Sequence, residues 1–222
     1  MKKMQFKKGN LYHVYNQGNN KQKIFFNREN YLFFLQKIHT HILPYTDILA
    51  WCLMPNHFHL MVLVKETEIE IGGTTSKFSI GGATSSRTPN NKPFRGVTSS
   101  RTPNTRSLNK SIGILLASYT RAINKEQNLS GSLFRKRTKA ECINCQNGIS
   151  PSFIGNKINV AISEKQYPQV CFNYIHENPV KANLVKTASD WEFSSVKDYT
   201  GLRKGKLVNK LIAGNYVHPF IR

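Results

Sequence analysis

The stretch from Asp47 to Val64 constrains the fold more than any other part of the chain. Two runs of β-branched, aromatic and aliphatic residues, Asp47 to Leu53 and His57 to Val64, flank the turn-forming Met54-Pro55-Asn56. So short a connection pairs the two runs as an antiparallel hairpin. The second run opens on His57-Phe58-His59, and residues two apart on a strand share one face at a rise of roughly 3.3 Å per residue. Both imidazoles therefore point one way and Phe58 the other, so the pair is able to converge on one metal ion. Taken alone, the triplet is better explained by histidines that merely sit on a sheet surface, and it is the neighbouring segments that raise the case for a site.

Those segments read as an α+β domain. Leu11 to Tyr15 alternates as a first strand behind a basic arm, and Asn16-Gln17-Gly18-Asn19-Asn20 breaks it. From Asn27, an N-cap, Tyr31, Phe34, Leu35, Ile38 and Ile42 fall at helical spacing until Pro44. A second helix is predicted from Ser107 to Gln127 with the stripe Ile112, Leu115, Leu116, Tyr119 and Ile123, ending near Gly131. Lying on that stripe, Tyr119 reads by position as core packing. The cluster Leu133-Phe134-Arg135-Lys136-Arg137-Thr138-Lys139 hangs basic residues on two apolar anchors. Gly148 to Lys165 reads as a loop followed by a weak helix, and Tyr167 to Glu177 as a helix or strand. Asn178-Pro179 reads as a turn, and Trp191 packs the C-terminal segment on the core.

A chain of 222 residues, 39% hydrophobic, suits one domain over residues 1–222. Between Gly72 and Ser107, 25 of 36 residues are Gly, Ser, Thr, Pro or Asn, which leaves too little apolar surface for a packed core. Thr84 to Asn90 recurs letter for letter as Thr98 to Asn104. Residues 72–107 are thus expected to form a flexible insertion, either a duplication without a role or a basic loop that tracks nucleic acid. A C-terminal extension begins at about residue 141.

Charge narrows the partner. Thirty-two Lys and Arg against 12 Asp and Glu leave a net charge of +20, more than solubility calls for, and the excess is clustered: Met1 to Arg28 holds seven basic residues and no acid. A polyanion, above all nucleic acid, is the expected partner. No apolar run is long enough to span a bilayer and no export signal follows the N-terminal lysines, so no membrane partner and a cytoplasmic, nucleoid-associated setting are expected. Cys52, Cys142, Cys145 and Cys171 form no dense framework, which suits a reducing compartment. Cys142-Ile143-Asn144-Cys145 has the spacing of half a zinc site without an evident second half.

Several segments together resemble the REP-associated tyrosine transposases, within the HUH-type single-tyrosine transposases of bacterial insertion sequences. They are Tyr12-His13-Val14-Tyr15-Asn16-Gln17-Gly18, Met54-Pro55-Asn56-His57-Phe58-His59-Leu60, Tyr119-Thr120-Arg121-Ala122-Ile123-Asn124 and Gly131-Ser132-Leu133-Phe134-Arg135-Lys136-Arg137. Tyr174-Ile175-His176-Glu177-Asn178-Pro179-Val180-Lys181-Ala182, with Trp191-Glu192-Phe193-Ser194-Ser195, is similar to the family's closing signature. The resemblance implies a ferredoxin-like antiparallel sheet with flanking helices, of HUH endonuclease type. It also implies a reaction: a tyrosine attacks single-stranded DNA beside a hairpin, leaves a 5′-phosphotyrosine, and a second hydroxyl rejoins the strand.

On the resemblance Tyr119 would be the nucleophile. His57, His59 and Asn124 would hold a divalent ion, Mg2+ or Mn2+, and Arg121, Arg135, Lys136, Arg137 and Lys139 would contact DNA. Ala122 stands where relatives carry a second tyrosine, and Gln17 where they carry an arginine. Asn124 lies about 140° around the helix from Tyr119, an awkward angle for a shared site. Relatives leave both a homodimer and a monomer open. Two other classes compete: a basic DNA- or RNA-binding module of the same fold that has lost cleavage, and a zinc-binding regulatory protein built on the cysteines.

Overall fold

The computed structural model describes residues 5–71, 104–145 and 163–219. The duplicated segment therefore lies outside the described residues apart from Asn104, as does Gly148 to Ile162. In chain order the main elements are β1 (Leu11–Gln17), α1 (Arg28–His41), β2 (Thr46–Met54), β3 (His57–Val64), β4 (Glu68–Glu70), β5 (Thr105–Ser107), α2 (Leu108–Gln127), β6 (Lys139–Cys142), α3 (Tyr167–Lys181), α4 (Val196–Tyr199) and α5 (Lys210–Ala213). Local signals place the helix ends. The Asn27 side chain accepts from the Asn30 amide at 3.0 Å, Ser107 caps α2 through the Lys110 amide, and α2 stops at Asn128, whose φ of 52° is left-handed.

The main sheet has the order β2-β3-β1-β6, antiparallel throughout, with Leu11 opposite Leu63 and Gln17 opposite His57. Together with α1 and α2 it is a βαββαβ ferredoxin-like unit, as expected. The strand period then sorts the side chains. Phe58, Leu60, Val62, Tyr12 and Val14 face α1 and α2, joining one apolar cluster with Phe34, Ile38, Ile112 and Leu115. His57, His59 and Met61 share the opposite face with Leu11 and His13. A bare βαββαβ unit leaves that face open. Here α3 lies over it, and Cys171, Phe172 and Ile175 join Leu11, Leu49 and Met61 in a second cluster.

Two expectations need correcting. Asn178-Pro179 is not a turn: α3 runs through Pro179 to Lys181, and the chain reverses only at Asn183, where φ is 54°. A proline removes one helical hydrogen bond, but Pro179 is buried and the apolar face of α3 holds the last turn in place. Cys142 and Cys145 form no half zinc site, because they are joined as a disulfide, while Cys52 and Cys171 are buried free thiols. Residues 191–195 cover the outer edge of β2: the Leu53 amide donates to the Phe193 carbonyl at 2.8 Å, and the Trp191 indole donates to the Leu53 carbonyl at 3.0 Å. The neck of the low-complexity insertion is closed by pairing of β4 with β5. Among the described residues no helix is long and apolar enough to cross a membrane.

Candidate active site

Strand β3 delivers His57 and His59 to the α3 side of the sheet with ring centroids 4.9 Å apart. Each imidazole is held through Nδ1. His57 Nδ1 meets the Asn56 side-chain oxygen at 2.5 Å, and His59 Nδ1 meets Nε2 of the buried His13 at 2.9 Å. These contacts direct both Nε2 atoms away from their orienting partners. Nε2 of His59 is buried and makes no hydrogen bond. Burial pushes the His57 pKa down and that of His59 well down, so both rings are neutral at pH 7 and carry a lone pair. Burial likewise lowers His13 to about 3.

Helix α3 brings two more groups. The Tyr174 ring stands edge-on to His59 with centroids 5.4 Å apart, and 5.9 Å from that of His13. Asn178, four residues on and thus about 40° around the helix, lies beside His57, where it favours the protonated imidazole and partly offsets the effect of burial. Its amide nitrogen donates to the Tyr174 carbonyl at 3.2 Å, and its oxygen, the acceptor of the side chain, is the atom an ion would take. Among the described residues no three His, Cys, Asp or Glu side chains cluster as a metal site. Two neutral imidazoles and one amide oxygen nevertheless fit a divalent cation, and the orphaned Nε2 of His59 is the atom such a cation would satisfy.

His57, His59 and Tyr174 line a cleft of about 220 Å³ together with Tyr15, Gln17, Arg135, Arg137 and Lys139. Lys139 sits over the Tyr15 ring at 5.6 Å and Lys181 over the Tyr174 ring at 5.9 Å, so each of these two rings has a cation over it. The segment carrying Arg135 and Arg137 is pinned to the end of β1. The Arg135 amide donates to the Gln17 carbonyl at 2.8 Å, and Asn16 Nδ2 donates to the Arg135 carbonyl and to Thr138 Oγ1. Gly18 is required here, since a Cβ at that position would collide with the Gln22 carbonyl oxygen.

The structure does not bring Tyr119 to the histidines. It lies on the other side of the sheet, wholly buried among Phe25, Phe33, Phe34 and Phe134, and its hydroxyl donates to the Ile24 carbonyl at 2.7 Å. Burial raises its pKa far above the ordinary phenol value, the wrong direction for a nucleophile. Asn124 is also on α2, with its amide donating to the Gly131 carbonyl at 2.8 Å, and is likewise absent from the cleft. Arg135, Arg137 and Lys139 are at the cleft, whereas Arg121 and Lys136 line a neighbouring cavity.

Sequence reasoning alone assigned no role to His13, Tyr174 or Asn178. The spacing of Tyr174 and Asn178 was the usable signal, because four residues on a helix share a face. What the sequence does not reveal is that α3 crosses the histidine face of the sheet.

No protein-family model and no curated protein sequence matches the chain. A solved structure described as a REP-associated tyrosine transposase bound to a REP hairpin superposes with a TM-score of 0.51 at 15% identity, covering 90% of this chain and 85% of that one. The chain therefore has the fold of that transposase structure.

Proposed function

We propose that the protein is a metal-dependent HUH-type transposase that cleaves and rejoins single-stranded DNA, with Tyr174 rather than Tyr119 as its nucleophile. One observation carries the reading: a single helix face sets Tyr174 and Asn178 beside the paired histidines, and Tyr174 and both histidines line one cleft with Arg135, Arg137 and Lys139. The solved transposase of the same fold, bound to a DNA hairpin, supports the substrate class. The net charge of +20 supports it independently.

In this reading Arg135, Arg137 and Lys139 hold the strand by its phosphates. The Tyr174 oxygen attacks one phosphorus as the phenol proton leaves to solvent. The P–O3′ bond breaks, the departing 3′ oxygen takes up a proton, and the DNA remains as a 5′-phosphotyrosine. Attack by another 3′-hydroxyl reverses the step, restores the phenol and joins the strands, so bond energy is conserved without a nucleotide cofactor. His57, His59 and the Asn178 amide oxygen would hold the divalent cation. When bound, such a cation supplies Lewis-acid polarisation of a phosphate oxygen.

Incubation of the protein with labelled, hairpin-bearing single-stranded DNA and Mg2+ or Mn2+, followed by a denaturing gel, tests the proposal. A covalent protein–DNA band is expected that vanishes in Tyr174→Phe and falls at least tenfold in His57→Ala or His59→Ala. An adduct that survives Tyr174→Phe would overturn the assignment. Tight binding with no adduct across substrates would instead identify a binding module.

A further inference from the structure

A second cavity, of about 770 Å³, lies on the α2 side of the segment that carries Arg135 and Arg137. Its floor is apolar, made by Ile112, Leu116 and Phe134, and its rim is basic, with Arg121 and Lys136 beside the two arginines. No Asp or Glu lines it. The volume falls in the range of small-ligand sites. Its chemistry is mixed in a particular way: an apolar surface for a flat, uncharged group, ringed by cations for an anion attached to that group.

Gly113 adds an independent observation. It lies inside the 20-residue helix α2, where glycine is less favourable than alanine, yet a Cβ there would meet nothing within 4 Å. Close packing against protein does not demand this glycine. What its missing side chain does is leave the cavity open. The cavity also adjoins the candidate active site, because Asn16, Arg135 and Arg137 line both.

We infer that this cavity is a subsite for an unpaired nucleotide of the same DNA strand, its base against the apolar floor and its phosphate on the guanidinium rim, with the strand crossing the Arg135–Arg137 segment to reach Tyr174. The inference deepens the proposed function and rests on its substrate class, though not on the identity of its nucleophile. A polyanion lacking bases would use the rim and leave the floor uncovered, so base dependence distinguishes this site from a generic basic surface.

The test uses the full chain carrying Tyr174→Phe, so that cleavage does not intervene. Fluorescence anisotropy compares a 20-nucleotide oligothymidine, the same backbone with abasic residues, and a duplex of equal charge. The base-bearing strand is expected to bind at least tenfold more tightly than the abasic one. Gly113→Leu, which has room on the helix and fills the cavity, is expected to reduce the base-bearing strand to the abasic level. Arg121→Gln should lower the slope of log K against log salt by about 0.7, the value for one lost single-strand contact. Equal affinity for base-bearing and abasic strands, or oligothymidine binding within twofold of the parent in Gly113→Leu, would overturn the subsite. Absence of an adduct in the Tyr174 protein would strike the cleavage reading alone, since these binding measurements do not depend on it.

Discussion

Tyr119→Phe separates the two tyrosines by stability as well as by chemistry. The substitution keeps the ring among Phe25, Phe34 and Phe134 and removes only the hydroxyl that donates to Ile24 at 2.7 Å. Tyr119 and Ile24 are both 0% exposed, so water does not reach the abandoned carbonyl. A buried acceptor left without its donor costs about 1–3 kcal/mol. For a chain of this length each kcal/mol moves Tm by roughly 2–4 °C. Taking about 2 kcal/mol, Tm should fall by about 4–8 °C, read by circular dichroism on the full chain, while adduct yield below the transition stays at the parent level. Half-buried Tyr174 reverses the pattern: Tyr174→Phe should abolish the adduct with a smaller shift in Tm. A Tyr119→Phe protein of unchanged Tm that forms no adduct would refute the assignment of that hydroxyl to the core.

Other substitutions probe what holds the site in place. Burial lowers the His176 pKa to about 3, against an ordinary value near 6.5. The unfolded chain therefore binds the extra proton first, and stability is lost as pH falls below about 6.5 towards 3, at up to about 1.4 kcal/mol per pH unit. Urea titrations at pH 7 and pH 5 should show His176→Gln losing about 2 kcal/mol less over that interval than the parent, and equal losses would contradict a buried neutral imidazole. Arg203→Ala strips the 1%-exposed Asp198 of contacts at 2.7 and 2.8 Å and should destabilise by about 3 kcal/mol in the same titration. Gly18→Ala should cost at least 1 kcal/mol, roughly the cost of forced repacking, because its Cβ collides with backbone; a neutral result would show that the Gln22 turn yields.

The hairpin at Met54-Pro55-Asn56, the Asn27 cap and the stripe of α2 were legible because each rests on local chemistry: period, turn residues and capping. The stripe even signalled that Tyr119 belongs to the core, since Ile112, Leu115, Tyr119 and Ile123 fall on one helix face and all are buried. The resemblance drew Tyr119 into the site against that periodicity, and the periodicity gave the right placement. Asn178-Pro179 misled for the opposite reason. A proline at the end of a short segment usually marks a break, but contacts from Cys171, Phe172 and Ile175 to the sheet are tertiary, and no local pattern announces them.

His59 shows how far geometry goes beyond spacing. The triplet at 57–59 determines that both imidazoles share a face, yet an imidazole can present either nitrogen, and the strand does not choose. The choice comes from His13, 46 residues away in sequence and placed beside His59 by the β1–β3 register. If His59 Nδ1 donates its proton to His13 Nε2, the lone pair of His59 lies on the buried Nε2 that has no other partner. Asn56 performs the same service for His57 across one peptide bond. Two rings held by unlike partners, one local and one from another strand, thus keep the same atom, Nε2, clear of those partners, and α3 places Tyr174 beside His59. A sheet face that the βαββαβ unit leaves open becomes a candidate site only because a helix outside that unit closes it.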